Sequence, residues 1–340
     1  MNATTYGLDI AKRVFQLYWV DQESGEIHNR KFCKQALLEF LAQREAGILA
    51  LEACGSAHWW RRKLMKFGHE VKLIHPRFVS PFVQRNKTDA ADAKAIWTAA
   101  SQPGMRTVAG KTEEQQAMLS LHRIRSSLVK FRTMQVNQLR GLLYEFGITL
   151  QNGRQAGLAE IKQRLAELEQ TLPGMLFDAV MGQLNRLAGI EEDLAGIERQ
   201  IKNWQKQQKA CKKIAEIPGV GILTATALVA TMGEASSFKS GREFSAFVGL
   251  VPRQSGTGGQ VKLLGISKRG DTYLRTLLIH GARTVMFKAK DKGAWSEALL
   301  QRRPTNVAIV ALANKMARTA WAILAHDREY QKGYVSQIPA

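Results

Sequence analysis

The chain has 340 residues, of which 45% are hydrophobic, so it can bury sizeable cores and is long enough for two or three domains. Lys and Arg number 49 against 29 Asp and Glu, which leaves a net charge of +20 and a pI near 10.1. This balance excludes a disordered acidic chain and favours a polyanion as partner, with nucleic acid as the first candidate and a membrane surface as the second.

The sequence contains no uninterrupted apolar run of membrane-spanning length, and its first residues lack the basic-then-apolar order of a signal peptide. We therefore expect a soluble, cytoplasmic protein without a membrane partner. The cysteines are Cys33, Cys54 and Cys211, which are far apart and odd in number. This spacing argues against a disulfide framework and against a clustered zinc site.

The first hundred residues alternate between strand and helix patterns. TTYGLDIA and VFQLYWVD are typical of two strands joined by a tight turn, and EIHNRKFC of a third. A helix over QALLEFLAQREA, a strand over GILALEAC, a helix around HWWRRKLMKFG and a strand over EVKLIHP follow. This order predicts a mixed sheet with helices on its faces, where ligands gather at the carboxyl ends of the strands.

Two acidic residues stand at those strand ends. Asp9 closes the apolar run YGLD, and Glu52 closes ILALE. An ionised carboxylate at the end of a buried strand is costly unless it is paired or binds a metal. A salt bridge to Lys12 or Arg61 is one solution, and a metal ion is the other.

Two further carboxylates, Asp89 and Asp92, lie in the stretch RNKTDAADAKAI. Thr88 is a good N-cap and the helix dipole favours acidic residues in a first turn, so a capped helix start accounts for the stretch locally. At a spacing of three residues the two side chains point the same way and could complete a cluster with Asp9 and Glu52. Such hard oxygen ligands suit Mg²⁺ or Mn²⁺, and two ions about 3.5–4 Å apart would clamp the attacking and leaving oxygens of a phosphodiester.

Taken together and in order, GLDIAK, LEACGS and RNKTDAADAKAI resemble the N-terminal RuvC-like domain, of RNase H fold, of the DEDD transposases of bacterial insertion sequences. The resemblance is to the IS110 family in its IS1111 branch. It implies that the metal-binding carboxylates are Asp9, Glu52, Asp89 and Asp92. The basic residues before the last pair, Arg85 and Lys87, are then expected to contact nucleic acid.

Beyond Gly110 the pattern changes to long helices. After Pro173 and Gly174, apolar residues recur at spacings of three and four, which is typical of a coiled-coil seam. The alternatives are a helical hairpin within one chain and a coil between chains, and the family resemblance favours a dimer or tetramer. The seam consists of Val180, Leu184, Leu187, Ile190, Leu194, Ile197, Ile201 and Trp204.

The last third begins with IAEIPGVGILTATALVATMG, whose Pro-Gly-Val-Gly turn resembles a helix-hairpin-helix that can hold a phosphate on backbone N–H groups. A purely structural turn is the alternative, because glycines commonly end helices. From residue 251 to 340 there are 15 Lys and Arg against 5 Asp and Glu, a balance of +10. We expect a phosphate-facing surface there, and the candidate nucleic-acid-binding residues are Arg253, Lys262, Lys268 and Arg269.

The motif VPRQSG resembles the Pro-Arg and Ser-Gly site of the family's C-terminal transposase domain. The resemblance makes Ser255 the candidate nucleophile, with Ser267 in reserve, whereas a Ser-Gly turn without chemistry is the alternative. A serine needs a base or a metal to lose its proton, and no Ser-His-Asp arrangement is visible. The carboxylate-bound ion is then the natural activator, and in the family the two sites meet between protomers.

The sequence patterns predict an α/β domain at 1–107, a coiled-coil helical insertion at 108–212 and a mostly α-helical domain at 213–335. The resemblance implies that the first has the RNase H-like fold and that the last is the C-terminal transposase domain. The resemblance implies a DNA recombinase with a covalent serine–DNA intermediate, directed by a non-coding guide RNA. A Holliday-junction-resolvase-like nuclease that uses water and a non-enzymatic nucleic-acid binder are the rival hypotheses. An actin-like sugar kinase is disfavoured by the charge and by the missing second glycine-rich phosphate motif.

Overall fold

The computed structural model describes residues 3–84 and 88–334 of the chain. By its internal contacts the chain separates into two compact units. The sheet unit comprises Met1–Gln116 and Met232–Ser237, and the helical unit comprises Ala117–Thr231 and Phe238–Ala340.

The sheet unit is built on a six-stranded mixed sheet of order β3-β2-β1-β4-β5-β6. The first three strands form an antiparallel meander, β1, β4 and β5 run parallel, and β6 pairs antiparallel with β5. This confirms the predicted mixed sheet and is compatible with an RNase H-like domain. The strands are Thr5–Ile10 (β1), Phe15–Val20 (β2), Ile27–Phe32 (β3), Ile48–Glu52 (β4), Glu70–Ile74 (β5) and Thr107–Val108 (β6).

Helices cover both faces of this sheet, since parallel strands need crossover connections. The helices of this unit are Lys34–Ala42 (α1), Ala57–Met65 (α2), Pro76–Val79 (α3) and Asp89–Ala100 (α4). On one face, α1 and α2 bury leucines and Trp60 against β1, β2 and β4. On the other face, α4 packs Ile96 and Ala99 against Ala50 of β4 and Ile74 of β5.

Helix α4 lies unusually close to β1 because Gly7 has no side chain. A Cβ atom at Gly7 would clash with the carbonyl oxygen of Ala93 and would lie 2.6 Å from the amide nitrogen of Trp97. No side chain fits between the strand and the helix at this point. The contact therefore fixes the distance between the first turn of α4 and the end of β1.

The helical unit contains two long helices and a bundle of shorter ones. Its elements are Glu113–Glu145 (α5, which begins in the sheet unit), Arg154–Gln163 (α6), Leu165–Thr171 (α7), Gly174–Gln207 (α8), Lys209–Ala215 (α9), Ile222–Met232 (α10), Gly241–Val248 (α11), Pro252–Thr257 (β7), Gln260–Ile266 (β8), Thr272–Lys288 (α12), Ala294–Arg302 (α13) and Thr305–Ala325 (α14). Strands β7 and β8 form an antiparallel hairpin of their own.

The apolar seam of α8 packs against α5 of the same chain. Two clusters bury it: one joins Leu184 and its neighbours to Leu139 and Leu143, and the other joins Ile201 to Met118. The ion pairs Arg125–Glu198, at 2.7 Å, and Arg132–Glu191, at 3.2 Å, show that the two helices run antiparallel. These contacts match a helical hairpin within one chain, which was one of the two alternatives for this seam. A coiled coil between protomers stays a prediction.

Among the described residues, α14 is the one helix long and apolar enough by length and composition to cross a membrane. It qualifies although Asn314, Lys315 and Arg318 interrupt its apolar run. It packs inside the helical unit: Asn314 Nδ2 donates to the Leu250 carbonyl at 3.2 Å, and a Cβ at Gly241 would lie 3.1 Å from Arg318 Cα. Core helices of soluble proteins have the same length and apolar composition, so these two properties alone do not indicate a membrane span.

The close approach at Gly7 predicts a strong effect of a single methyl group. Gly7→Ala is expected to lower the free energy of unfolding by about 1–3 kcal/mol, because neither backbone can yield without moving α4 off the sheet. Thermal unfolding of the purified chain, followed by tryptophan fluorescence, measures this effect. Gly55→Ala is the matched control, since open space surrounds Gly55, and equal melting temperatures for the two variants would contradict the prediction.

Candidate functional site

Asp9 and Glu52 lie on neighbouring parallel strands at the same edge of the sheet. The register pairs Gly7 with Ala50 and Leu8 with Leu51, so the next residues along are Asp9 and Glu52. Side chains alternate along a strand, so both carboxylates share the face of Gly7 and Ala50. That is the face covered by α4.

Asp89 and Asp92 lie in the first turn of α4, where Thr88 caps the helix. Thr88 Oγ1 accepts a hydrogen bond from the Ala91 amide at 3.2 Å. The helix-start interpretation is thus confirmed, and it does not exclude a second role. Ala93 and Trp97, which touch Gly7, hold this helix start over the end of β1.

The other three carboxylates affect the pKa of Asp9. Burial raises this pKa first, and the negative charges of Asp92, Asp89 and Glu52 raise it further, to about 6. A hydrogen bond from the Ile10 amide opposes the rise. The cluster therefore repels its own charge, and a cation placed there would relieve the repulsion.

The chemistry of this donor set fits a divalent cation. Four carboxylates offer the hard oxygen ligands that Mg²⁺ and Mn²⁺ prefer. Within residues 3–84 and 88–334, no three or more His, Cys, Asp or Glu side chains form a group that could hold a metal ion, so these residues contain no preformed metal cage. Mg²⁺ does not need one, because it keeps several waters and is usually held by one or two carboxylates together with substrate phosphates.

A residue that the sequence patterns did not single out lies beside Asp9. Gln16 of β2 pairs directly with Asp9 and is only 3% exposed. Its Nε2 donates to Asn29 Oδ1, and Asn29 Nδ2 donates to the Ala90 carbonyl at 3.1 Å. The signal in the sequence is one glutamine inside the apolar run FQLYWV, on a strand buried on both faces.

Ser255 lies in the helical unit, on the exposed hairpin of β7 and β8. It pairs directly with Lys262, so the hydroxyl and the ammonium group share one face of the hairpin. Gly258 and Gly259 turn the chain with positive φ angles of 58° and 82°. Every residue of β7 is exposed, including Arg253, so this strand is open to a partner.

Lys268 and Arg269 follow the hairpin in a turn whose backbone is firmly held. The Lys268 amide donates to the Gly249 carbonyl at 3.1 Å, and the buried Arg275 donates to the carbonyls of Val248 and Arg269 at 3.0 and 3.2 Å. Lys268 has a positive φ of 52°, and both basic side chains are exposed. The two basic side chains are therefore exposed on a turn whose backbone is held by hydrogen bonds.

Two of the predicted nucleic-acid contacts, Arg85 and Lys87, lie outside the described residues. The Pro-Gly-Val-Gly turn is described, and its Gly219 has a φ of 87°. A Cβ there would lie 2.7 Å from the Gly281 carbonyl oxygen of α12, so this glycine serves close packing. A phosphate-binding role for the turn stays a prediction.

The sequence matches two models of transposase domains. Residues 6–148 match that of the DEDD transposase of IS110 type, and residues 211–297 match that of the IS116/IS110/IS902 transposase family. A probable family 20 transposase of Pseudomonas aeruginosa is 45% identical over 338 residues, covering 98% of this chain and 100% of the relative. The chain belongs to the IS110 family of transposases.

Two further relatives of this transposase act for named insertion sequences. The transposase for insertion sequence element IS1111A of Coxiella burnetii is 41% identical over 331 residues, covering 96% of this chain and 91% of the relative. That for IS1328 of Yersinia enterocolitica is 39% identical over 337 residues, covering 97% and 99%. Membership of this family implies that the chain catalyses insertion-sequence transposition, and therefore that it binds DNA and cuts and rejoins it. The DEDD type of the matched domain suggests that the reaction depends on a divalent metal.

The raised pKa of Asp9 predicts that ionisation of this carboxyl group lowers the stability of the folded transposase. Because the folded pKa of about 6 lies above the ordinary 3.8, the stability of the metal-free protein falls as pH rises through that interval. Asp9→Asn removes this loss. After allowance for solvent screening, it is expected to stabilise the protein by on the order of 1 kcal/mol at pH 7.5, and by much less near pH 4.

Thermal melts in EDTA across this pH range measure the effect. Asp193→Asn, at an exposed position in the middle of α8, is the control for loss of one negative charge. A pH-independent gain, or the same gain from the control, would contradict the account.

Proposed function

We propose that this IS110-family transposase cuts and rejoins DNA by attack of Ser255 on a phosphate, with a divalent ion held by the carboxylate cluster of Asp9, Glu52, Asp89 and Asp92. The observation that supports the proposal most is the electrostatic effect of the other three carboxylates on Asp9: burial raises the pKa of Asp9 first, and Asp92, Asp89 and Glu52 raise it further, to about 6. A bound Mg²⁺ or Mn²⁺ would supply the positive charge needed where negative charge develops on the reacting oxygens.

The serine step conserves the number of phosphate ester bonds. The bond from Ser255 Oγ to phosphorus forms, the bond from phosphorus to one DNA oxygen breaks, and the serine proton ends on the released DNA hydroxyl. Because the new ester resembles the one broken, a second DNA hydroxyl can displace the serine without ATP. The products are rejoined strands, whereas water as the attacking group would leave cut ends.

In this proposal, basic side chains of both units contact phosphates of the nucleic acid. Arg253 and Lys262 lie on the same exposed hairpin as Ser255, so a phosphate beside the serine would meet their positive charge. Arg269 and Lys268 extend this basic surface. Arg85 and Lys87, next to the carboxylates in sequence, are proposed to contact nucleic acid as well.

The remaining parts of the proposal concern partners. We infer that a non-coding RNA guides the choice of DNA, which the family resemblance and the net charge of +20 support. We also infer that the protein forms a homo-oligomer, a dimer or a tetramer, through the helical segment 108–212. In sequence, this segment follows the RuvC-like segment 1–107 and precedes the transposase segment 213–335. We infer a location in the bacterial cytoplasm, because the proposed substrate is bacterial DNA.

The test is to incubate the protein with Mg²⁺, DNA spanning the ends of the element and transcripts of its non-coding flank, and to look for a protein–DNA adduct that survives SDS. The adduct is expected with the unaltered protein and is expected to be lost in Ser255→Ala and in Asp9→Ala. Both losses should exceed a hundredfold, because the nucleophile and a metal ligand are removed. Omission of the transcript tests the guide separately.

The matched control is Thr257→Ala, two residues further along the same exposed strand, which should keep the adduct. Loss of the adduct in Ser267→Ala, together with its retention in Ser255→Ala, would move the nucleophile to the reserve candidate. Cleavage without an adduct, undiminished by Ser255→Ala, would mean a nuclease that uses water. Activity unchanged by Asp9→Ala would remove the metal from the mechanism.

A further inference from the structure

Gln16 occupies the position on β2 directly opposite Asp9. Residues that pair in an antiparallel ladder have Cβ atoms about 4.5–5.5 Å apart and point to the same face of the sheet. Gln16 therefore lies beside Asp9, on the face covered by α4. Tyr18, two residues along β2, confirms the facing because its ring contacts that of Trp97 on α4 at 5.4 Å between centroids.

A relay of two side-chain amides fixes the orientation of Gln16. A backbone carbonyl can only accept, so the group of Asn29 that faces the Ala90 carbonyl must be its Nδ2. Asn29 then presents Oδ1 to Gln16, and Gln16 must present Nε2 to Asn29. The remaining atom, Gln16 Oε1, is turned away from Asn29.

Gln16 Oε1 is buried and has no hydrogen-bond partner among the described residues. A buried polar atom without a partner is costly, so such atoms are rare unless a water or ligand completes them. The neighbouring Asp9 in its ionised form cannot serve, because a carboxylate only accepts hydrogen bonds. The missing donor is therefore expected to come with a species bound at the carboxylate cluster.

We propose that Gln16 is a positioning residue of this cluster, whose side-chain oxygen accepts a hydrogen bond from a water molecule carried by the divalent ion at Asp9. Its amide nitrogen, through Asn29, ties the same site to Ala90 in the first turn of α4, beside Asp89. The inference rests on the proposed function, since it needs an ion at the carboxylates. It deepens that function by adding an outer contact that orients the hydrated ion.

The experiment measures Mn²⁺ binding to the full-length protein without nucleic acid, by calorimetry and by the loss of the free-Mn²⁺ signal in electron paramagnetic resonance. Gln16→Met keeps the size of the side chain and removes the oxygen, and it is expected to weaken Mn²⁺ binding about 10–100-fold. Gln35→Met, at an exposed glutamine of α1, is the matched control and should bind like the unaltered protein. The melting temperature in EDTA is recorded for each variant, because a merely structural role would change that value alone.

The outcomes separate this inference from the proposed function. If the unaltered protein binds Mn²⁺, Asp9→Asn does not and Gln16→Met binds equally well, Gln16 has no positioning role and the metal site stands. If the unaltered protein binds no Mn²⁺, both proposals fail. Should Gln16→Met not fold, Asn29→Ala tests the relay from its exposed end, with a weakening of about threefold expected and unchanged affinity overturning the inference.

Discussion

The arrangement of the sheet unit depends on one contact, the backbone of α4 lying directly on Gly7 of β1. A helix normally packs on a sheet through a layer of side chains, which would hold Asp89 and Asp92 away from the strand ends. Removal of that layer at Gly7 brings the first turn of the helix to the carboxyl ends of β1 and β4, where Asp9 is the last residue but one and Glu52 is the last residue. Small residues continue this tight packing, since Ala50 of β4 and Ala95 and Ala99 of α4 are all fully buried. The position of the acidic residues thus follows from the close packing of α4 on Gly7, two residues before Asp9.

This proximity sets stability against function. Burial first, and then the charges of Asp92, Asp89 and Glu52, raise the pKa of Asp9 to about 6, so near neutral pH the folded protein keeps charges that repel one another. An orphaned glutamine oxygen beside Asp9 adds a second unfavourable feature. Neither feature stabilises the fold, because an asparagine at residue 9 would remove the charge repulsion and an apolar residue at 16 would remove the unpaired oxygen. Local rules are broken in this way at functional sites, where a bound species restores the balance.

Much of the sheet unit could be predicted from its sequence, because its signals are local. Alternation and turn chemistry predict the β1–β3 meander, the apolar run ILALE predicts the end of β4 at Glu52, and Thr88 predicts the start of α4. The run YGLD stops one residue short of the end of β1, because the strand includes Ile10. The role of Gln16 could not be predicted, because it depends on which residue of β1 it pairs with and on Asn29 from a third strand. The seam of α8 was ambiguous for a related reason: periodicity gives the apolar face of a helix but not the chain that covers it. In the structure α5 of the same chain covers it.

The charge distribution gives the proposed ion a further role. The chain carries +20 overall, and exposed cations surround the hairpin of Ser255, so DNA is attracted over a long range. The carboxylate cluster has the opposite sign and repels any phosphate that approaches it closely. In the proposed mechanism, a divalent ion at Asp9 would turn this local repulsion into attraction, and it would leave the charges of the hairpin unchanged. The proposed mechanism therefore separates two events, the binding of DNA and the approach of its phosphate to the carboxylates, and only the second requires the metal.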